Sequence, residues 1–215
     1  MALPKEYEKE YFTYAEYKDW GEDKRWELVR GEAFSMSPAP GTNHQRVSGI
    51  LFNSIFNFLE SNPCQVFSAP FDIFLPEDNE STNKISTIVQ PDITVICDKS
   101  KLNEKGCTGA PDIVIEILSP TSASRDQIIK RDLYERKGVK EYWIVDPAGK
   151  IVWKYVLKNN EYGKPAVFDY KGTPSMNIFP QLKINLRKVF DMENYDESEN
   201  ERQPGYSLRS KENRL

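Results

Sequence analysis

Apolar residues recur at three- and four-residue spacings over 43–60, where Val47, Ile50, Leu51, Ile55, Phe58 and Leu59 form one stripe. That period predicts an amphipathic helix, which Asn62-Pro63 ends. Elsewhere the apolar positions alternate or run together, predicting strands at about 65–75, 89–97 and 111–118. Residues 24–36 predict a hairpin turning at Arg30-Gly31. Residues 13–20 predict a short helix, with Thr13 as its cap and Glu16 closing a capping box. The segments 37–42, 76–83 and 98–109 are polar and read as connections. A second helix is predicted over 124–137, with Ser124 and Gln127 as a capping box and Lys137-Gly138 as its stop. Strands at 141–147 and 151–157 form a second hairpin, and two weaker strand patterns follow at 165–170 and 176–184. From about Asp191 the chain is polar and charged, which predicts a disordered tail over 191–215. The order of elements predicts an α/β fold: a mixed sheet flanked by helices, with a β-rich C-terminal extension, in one domain over 10–190.

The 215 residues suffice for one domain with its own core. Cys64, Cys97 and Cys107 are too few and too scattered for a disulfide framework, and no pair has metal-ligand spacing. They point to a reducing, cytoplasmic setting. No stretch has the length and apolarity of a membrane span, and the first ten residues have no apolar signal core, so neither membrane insertion nor secretion is expected. A net charge of −4 counts against a dedicated high-affinity DNA binder. It leaves room for an enzyme that holds a divalent cation in an acidic cleft.

Two carboxylates change the picture. Asp92 stands in Val-Gln-Pro-Asp-Ile-Thr-Val-Ile, and Glu116 in Pro-Asp-Ile-Val-Ile-Glu-Ile-Leu. Burying a charge in an apolar strand is costly without a cation, and two such strands in succession suggest a shared one. If the strands pair, both acids lie on one face, and oxygen ligands with open positions suit Mg2+ or Mn2+. The main-chain carbonyl of Ile117 would complete the protein ligands. Lys130, on the flank of the buried Ile129–Leu133 seam with Asp126 and Tyr134 one turn away, would assist the attacking water or stabilise phosphate charge. The plain alternatives stay open: a strand-entry Asp92, a Glu116 paired with a structural cation, and a solvated Lys130–Asp126 pair. Glu27 is either an early-strand acid that reaches the metal or a surface acid beside Arg25. His44, the one histidine, either works near the phosphate or caps its helix, and Asp72 either faces the same cleft or does not. Tyr142, Trp143, Trp153 and Tyr155 read as a hydrophobic sheet face or dimer contact rather than a base-stacking platform.

Pro91-Asp92, Glu116-Ile117-Leu118-Ser119-Pro120, the Arg125-Asp126…Lys130…Tyr134 helix and Gly138-Val139…Tyr142-Trp143-Ile144-Val145-Asp146-Pro147 resemble the Uma-two family of restriction-endonuclease-like proteins. So do 27–32, Ser37-Pro38 and His44. The resemblance covers about 10–190. It implies a PD-(D/E)XK nuclease core, a Mg2+ cofactor that Mn2+ can replace, DNA as substrate, and a homodimer. It assigns Asp92 and Glu116 as the acids of the metal site, with Lys130 and Glu27 as further catalytic residues. The pattern expects lysine at position 118, where this chain has Leu118, so Lys130 is read as its relocated counterpart. The rival is a nuclease fold retained as a binding or assembly module, which Leu118 and the acidic balance favour.

Overall fold

Two prolines divide what the sequence presents as two long strands. The computed structural model describes residues 11–21, 25–36, 40–119 and 125–193. In chain order, α1 (Tyr14–Tyr17) precedes the hairpin β1 (Trp26–Val29) and β2 (Glu32–Ser35), then the long α2 (Thr42–Leu59). The expected strand at 65–75 is β3 (Gln65–Ser68) and β4 (Asp72–Phe74), and the one at 89–97 is β5 (Ile88–Val89) and β6 (Ile93–Ile96). Pro70 and Pro91 sit in the gaps, where a residue without an N–H cannot continue a ladder. β3 pairs with β6 and β4 with β5, and the Ala69 N–H donates to the Asp92 carbonyl between them. One two-stranded ribbon thus bends in its middle and passes from one sheet into another. Asp92 therefore stands at the bend and not inside a strand.

The segment expected as a solvated loop at 98–109 contains β7 (Leu102–Asn103) and β8 (Gly106–Thr108). β8 pairs in parallel with β4 and buries Cys107. β9 (Ile113–Ile117) leads to a π-helical segment, Arg125–Lys130, and to α3 (Arg131–Lys137), which ends on Gly138 at φ 83°. β10 (Glu141–Asp146), β11 (Ile151–Lys158), β12 (Glu161–Tyr162), β13 (Ala166–Asp169) and α4 (Leu186–Val189) follow. The weak strand expected at 176–184 is absent: only an isolated Ser175–Lys183 bridge forms there, and the segment packs as irregular chain. Met192 is also buried, so the packed region runs past the expected start of the tail; residues 194–215 lie outside the described set. So does Ser124, and with it the expected capping box.

The mixed α/β architecture has two mixed sheets, ordered β2-β1-β5-β4-β8-β7 and β12-β11-β10-β9-β6-β3, with β13 against β11. β9 lies inside the larger one, antiparallel to β6 and parallel to β10. Its odd residues Ile113, Ile115 and Ile117 pack toward Val47, Leu51, Ile55 and Leu59 of α2. Its even residue Val114 packs toward Leu133 and Tyr134 of α3. Both faces are covered, which explains the unbroken apolar run. The Arg30-Gly31 turn forms as expected, with φ of 53° and 83°, and a side chain at Gly31 would collide with the Tyr11 ring. The capping box at Thr13 and Glu16 forms as well.

Cys64 and Cys97 are disulfide-bonded, against the expectation of three reduced cysteines. The β3–β6 register explains it: Gln65 faces Ile96, so the next residues outward face each other, with Cα atoms 3.9 Å apart. Spacing along the chain, 33 residues, conceals that proximity. The cysteine argument for a reducing compartment falls with it. Among the described residues no helix is long and apolar enough to cross a membrane.

Candidate active site

Glu116 is the last even residue of β9, so it projects to the α3 side. Lys130 meets it there. The Lys130 ammonium lies 2.8 Å from Glu116 Oε1, 2.8 Å from Glu27 Oε1 and 3.6 Å from Asp126 Oδ1, and its side chain is 2% exposed. Tyr134, one turn further along, donates its hydroxyl to the same Glu116 oxygen at 2.9 Å. The Gln90 main-chain N–H donates to Glu27 Oε1 at 2.9 Å. Helical periodicity puts Ile129 in a buried seam beside Lys130; instead Lys130, Leu133 and Tyr134 are buried, and Ile128 and Ile129 face solvent. Ion pairing overrides hydropathy at this surface: three carboxylates on the sheet side and helix call for the cation. The π winding of Arg125–Lys130 sits at this point, as such segments often do beside functional groups.

Four ionisable groups out of water must settle their charge. Three of them are acids that share the Lys130 ammonium within 3.6 Å. Burial pushes the Glu116 carboxyl up to about 8 against the pull of Lys130, and Asp126, Asp92 and Glu27 add to the rise. Burial lowers the Lys130 pKa, but Glu116, Glu27 and Asp126 outweigh it and the net shift is upward. Lys130 is therefore a fixed cation and not a proton acceptor. Tyr134 is held neutral, first by burial and then by Glu116.

Asp92 approaches from the bend. The β6–β9 register pairs Ile93 with Ile115, which sets Asp92 opposite Glu116. Its Oδ2 accepts the Ile117 N–H at 2.7 Å and lies 3.3 Å from His44 Nε2. His44 stands on the first turn of α2. Its Nδ1 is buried without a hydrogen-bond partner. Burial lowers the His44 pKa, but Asp92 and the nearby Ile117 carbonyl outweigh it and the net shift is upward. The other carboxylate oxygens, Asp92 Oδ1 and Glu116 Oε2, accept no hydrogen bond among the described residues. Two adjacent acids with an uncommitted oxygen each and the Ile117 carbonyl beside them suit a hard divalent cation. The donor set fits, although no group of three His, Cys, Asp or Glu among the described residues is already gathered around one point.

The structure thus gathers Glu27, Glu116 and Lys130 into one ion cluster and sets Asp92, His44 and Ile117 beside it. Glu27 is fully buried, which removes the surface reading. Asp72 stands apart, accepting from Tyr17 at 3.2 Å and from the Gln90 amide at 2.8 Å. Burial raises its pKa, while Gln90 and Tyr17 pull it back. Sequence reasoning missed Gln90, which joins the two groups: its backbone holds Glu27 and its side chain holds Asp72. Its place directly before Pro91-Asp92 was the available signal. Tyr142 and Trp143 are fully buried, so neither is a stacking platform.

The two mixed sheets with few helices form a nuclease-like α/β fold. The sequence profile of the Uma2 family, described as "Putative restriction endonuclease", matches residues 13–187, and the chain belongs to that family. The fold is shared with the crystal structure of a putative nuclease belonging to DUF820 from Anabaena variabilis ATCC 29413. That structure aligns with a TM-score of 0.68 and 19% identity, over 84% of this chain and 98% of the other. No curated protein sequence matches the chain.

Proposed function

We propose that the chain is a metal-dependent endonuclease that hydrolyses phosphodiester bonds in DNA, with a PD-(D/E)XK-type centre. The observation that carries this reading is the juxtaposition of Asp92 and Glu116, each with an uncommitted oxygen, against a lysine buried between Glu116 and Glu27. Asp92, Glu116 and the Ile117 carbonyl would hold Mg2+ or Mn2+. Such an ion supplies Lewis acidity toward water and a phosphate oxygen. Lys130 and Tyr134 clamp one oxygen of Glu116 and so fix the orientation of the other. Glu27 keeps Lys130 in place. His44, tied to Asp92 and with Nδ1 open, is placed to hold a proton near the scissile phosphate. Homodimerisation is a further part of the proposal.

A second reading is a binding module on the same fold. It draws on Leu118 and on the full commitment of the Lys130 ammonium to carboxylates. Cleavage of supercoiled plasmid by the purified chain, with Mg2+, Mn2+ or EDTA, separates the two. The nuclease reading expects metal-dependent nicking that Asp92→Asn and Glu116→Gln each reduce at least a hundredfold. Absence of nicking by the wild type with either metal, beside an active control enzyme, would leave the binding module.

A further inference from the structure

A cleft of about 490 Å3 opens on the far side of Gln90 from the Glu27–Lys130 cluster, in the size range of small-ligand sites. Its wall carries Asp72 and Gln90, and its aromatic lining comes from Tyr14, Tyr17, Trp20 and Trp26. Trp26 is half-buried and meets Trp20 only edge-on, with centroids 5.6 Å apart and planes at 68°, so its flat face carries no stacked ring. The wall presents acceptors. Gln90 gives its amide N–H to Asp72 Oδ1 and toward the Tyr17 hydroxyl, which fixes the amide orientation because a carboxylate only accepts. Asp72 Oδ2 accepts nothing among the described residues, so it is open to a donor that a ligand supplies.

Around the mouth stand Lys18, Arg25 and Lys105. None pairs with a carboxylate among the described residues, although acids outnumber bases in the chain. An aromatic slot with N–H-seeking acceptors inside and cations outside matches one chemistry, a nucleotide: the ring stacks, its N–H edge meets the wall, and its phosphate meets the rim. A cationic ligand would suit the rings and Asp72 but not three cations at the entrance. Among the bases, guanine places two adjacent N–H donors on one edge.

We propose that this cleft is a base-binding pocket that takes an unpaired guanine of the nucleic acid whose backbone lies at the Asp92–Glu116 site. It rests on the nuclease reading only for the source of that base. The Asp72 carboxylate, held by Gln90 and Tyr17, receives the N–H edge, Trp26 stacks on the ring, and Lys105 with Arg25 meets the phosphate. A strand so held is unpaired beside the cleaved bond, which makes single-stranded or locally opened DNA the preferred substrate.

The test is tryptophan-fluorescence titration of the full chain with GMP, AMP and UMP, in EDTA so that no cleavage occurs. GMP is expected to quench saturably and to bind about tenfold tighter than UMP, the scale of one good edge contact. Asp72→Asn should abolish that preference. Lys105→Ala, on the exposed rim, should weaken all three nucleotides by a similar factor and leave the preference intact. Asp92→Asn should bind GMP as the wild type does. The proposal is overturned if no nucleotide quenches at millimolar concentration, if tetramethylammonium displaces GMP, if the guanine preference survives Asp72→Asn, or if Asp92→Asn alone abolishes binding. Nicking without GMP binding would sink the pocket and leave the nuclease; GMP binding without nicking would do the reverse.

Discussion

Replacing Lys130 with Met keeps the length of the side chain and removes its charge from among three acids. At an effective dielectric constant near 20, charges 2.8 Å apart attract by about 6 kcal/mol, and Lys130 makes two such contacts, with Glu27 and Glu116. Most of that gross attraction offsets the cost of desolvating the groups. What the substitution exposes is the remainder, buried carboxylates that have lost the Lys130 ammonium, and losing one partner of a buried pair costs about 3–5 kcal/mol. In a domain of this size that lowers Tm by about 6–20 °C. The deficit also has a pH signature. Without Lys130 the folded-state pKa of Glu116 rises further above its unfolded value, so the variant is relieved at low pH and worst at high pH. Urea denaturation of both proteins at pH 5 and pH 8 reads this directly. A deficit under about 1 kcal/mol at pH 8, or one of equal size at both pH values, would refute the electrostatic account, because a side chain that merely filled space has no pH dependence.

In the wild type, the Glu116 carboxyl raised to about 8 by burial holds a proton that the unfolded chain releases near 4.5. Stability should therefore fall as pH rises between those values, by roughly 5 kcal/mol at most, and Glu116→Gln should flatten that slope in the same urea series. His44 has a net upward shift despite its burial, so its contribution is present below the unfolded pKa near 6.5 and fades as pH rises through the folded value. His44→Gln should remove the corresponding inflection from an NMR or denaturation pH profile; an unchanged profile would detach His44 from Asp92. Unfolding without reductant should expose one reactive thiol, Cys107, rather than three. Reduction of the 33-residue closure should cost about 3–4 kcal/mol, and three thiols in the oxidised protein would refute the bond.

The long helix α2 and its buried stripe were legible because local periodicity and tertiary burial agree there: Val47, Leu51, Ile55 and Leu59 all enter the core. The strand breaks were harder. An apolar run on both sides of Pro70 or Pro91 looks continuous in sequence, and only partner strands in two different sheets reveal the transfer. The disulfide was invisible for the same reason, since antiparallel register creates the contact. Within the site, the acids were legible as expensive residues in apolar surroundings. Lys130 was legible as a candidate but its burial was not, since a hydropathy stripe puts Ile129 inward and cannot anticipate carboxylates arriving from β1 and β9. Gln90 escaped notice because an amide beside a proline carries no charge to account for.

The lysine that the proposed PD-(D/E)XK centre expects at position 118, where the chain has Leu118, is best weighed from β9. Residue 118 shares parity with 114 and 116, so a lysine there would extend along the α3 side of the sheet, toward the same carboxylates. Leu118 instead packs with the apolar residues on that side, and its N–H donates to the Val145 carbonyl. The ammonium arrives from the facing helix and reaches Glu116 at 2.8 Å. A chain that had only lost its lysine would leave Glu27, Glu116 and Asp126 to be removed, because buried acids without a cation are destabilising. Here all three persist around a cation supplied from another element, with Tyr134 added to the same oxygen. That arrangement favours relocation over loss. The distinction is measurable: Lys130→Met together with Leu118→Lys should recover plasmid nicking and acid-independent stability relative to Lys130→Met alone if the face is what matters. If Leu118→Lys restores neither, the ammonium must come from the helix, and the site is specific to this geometry.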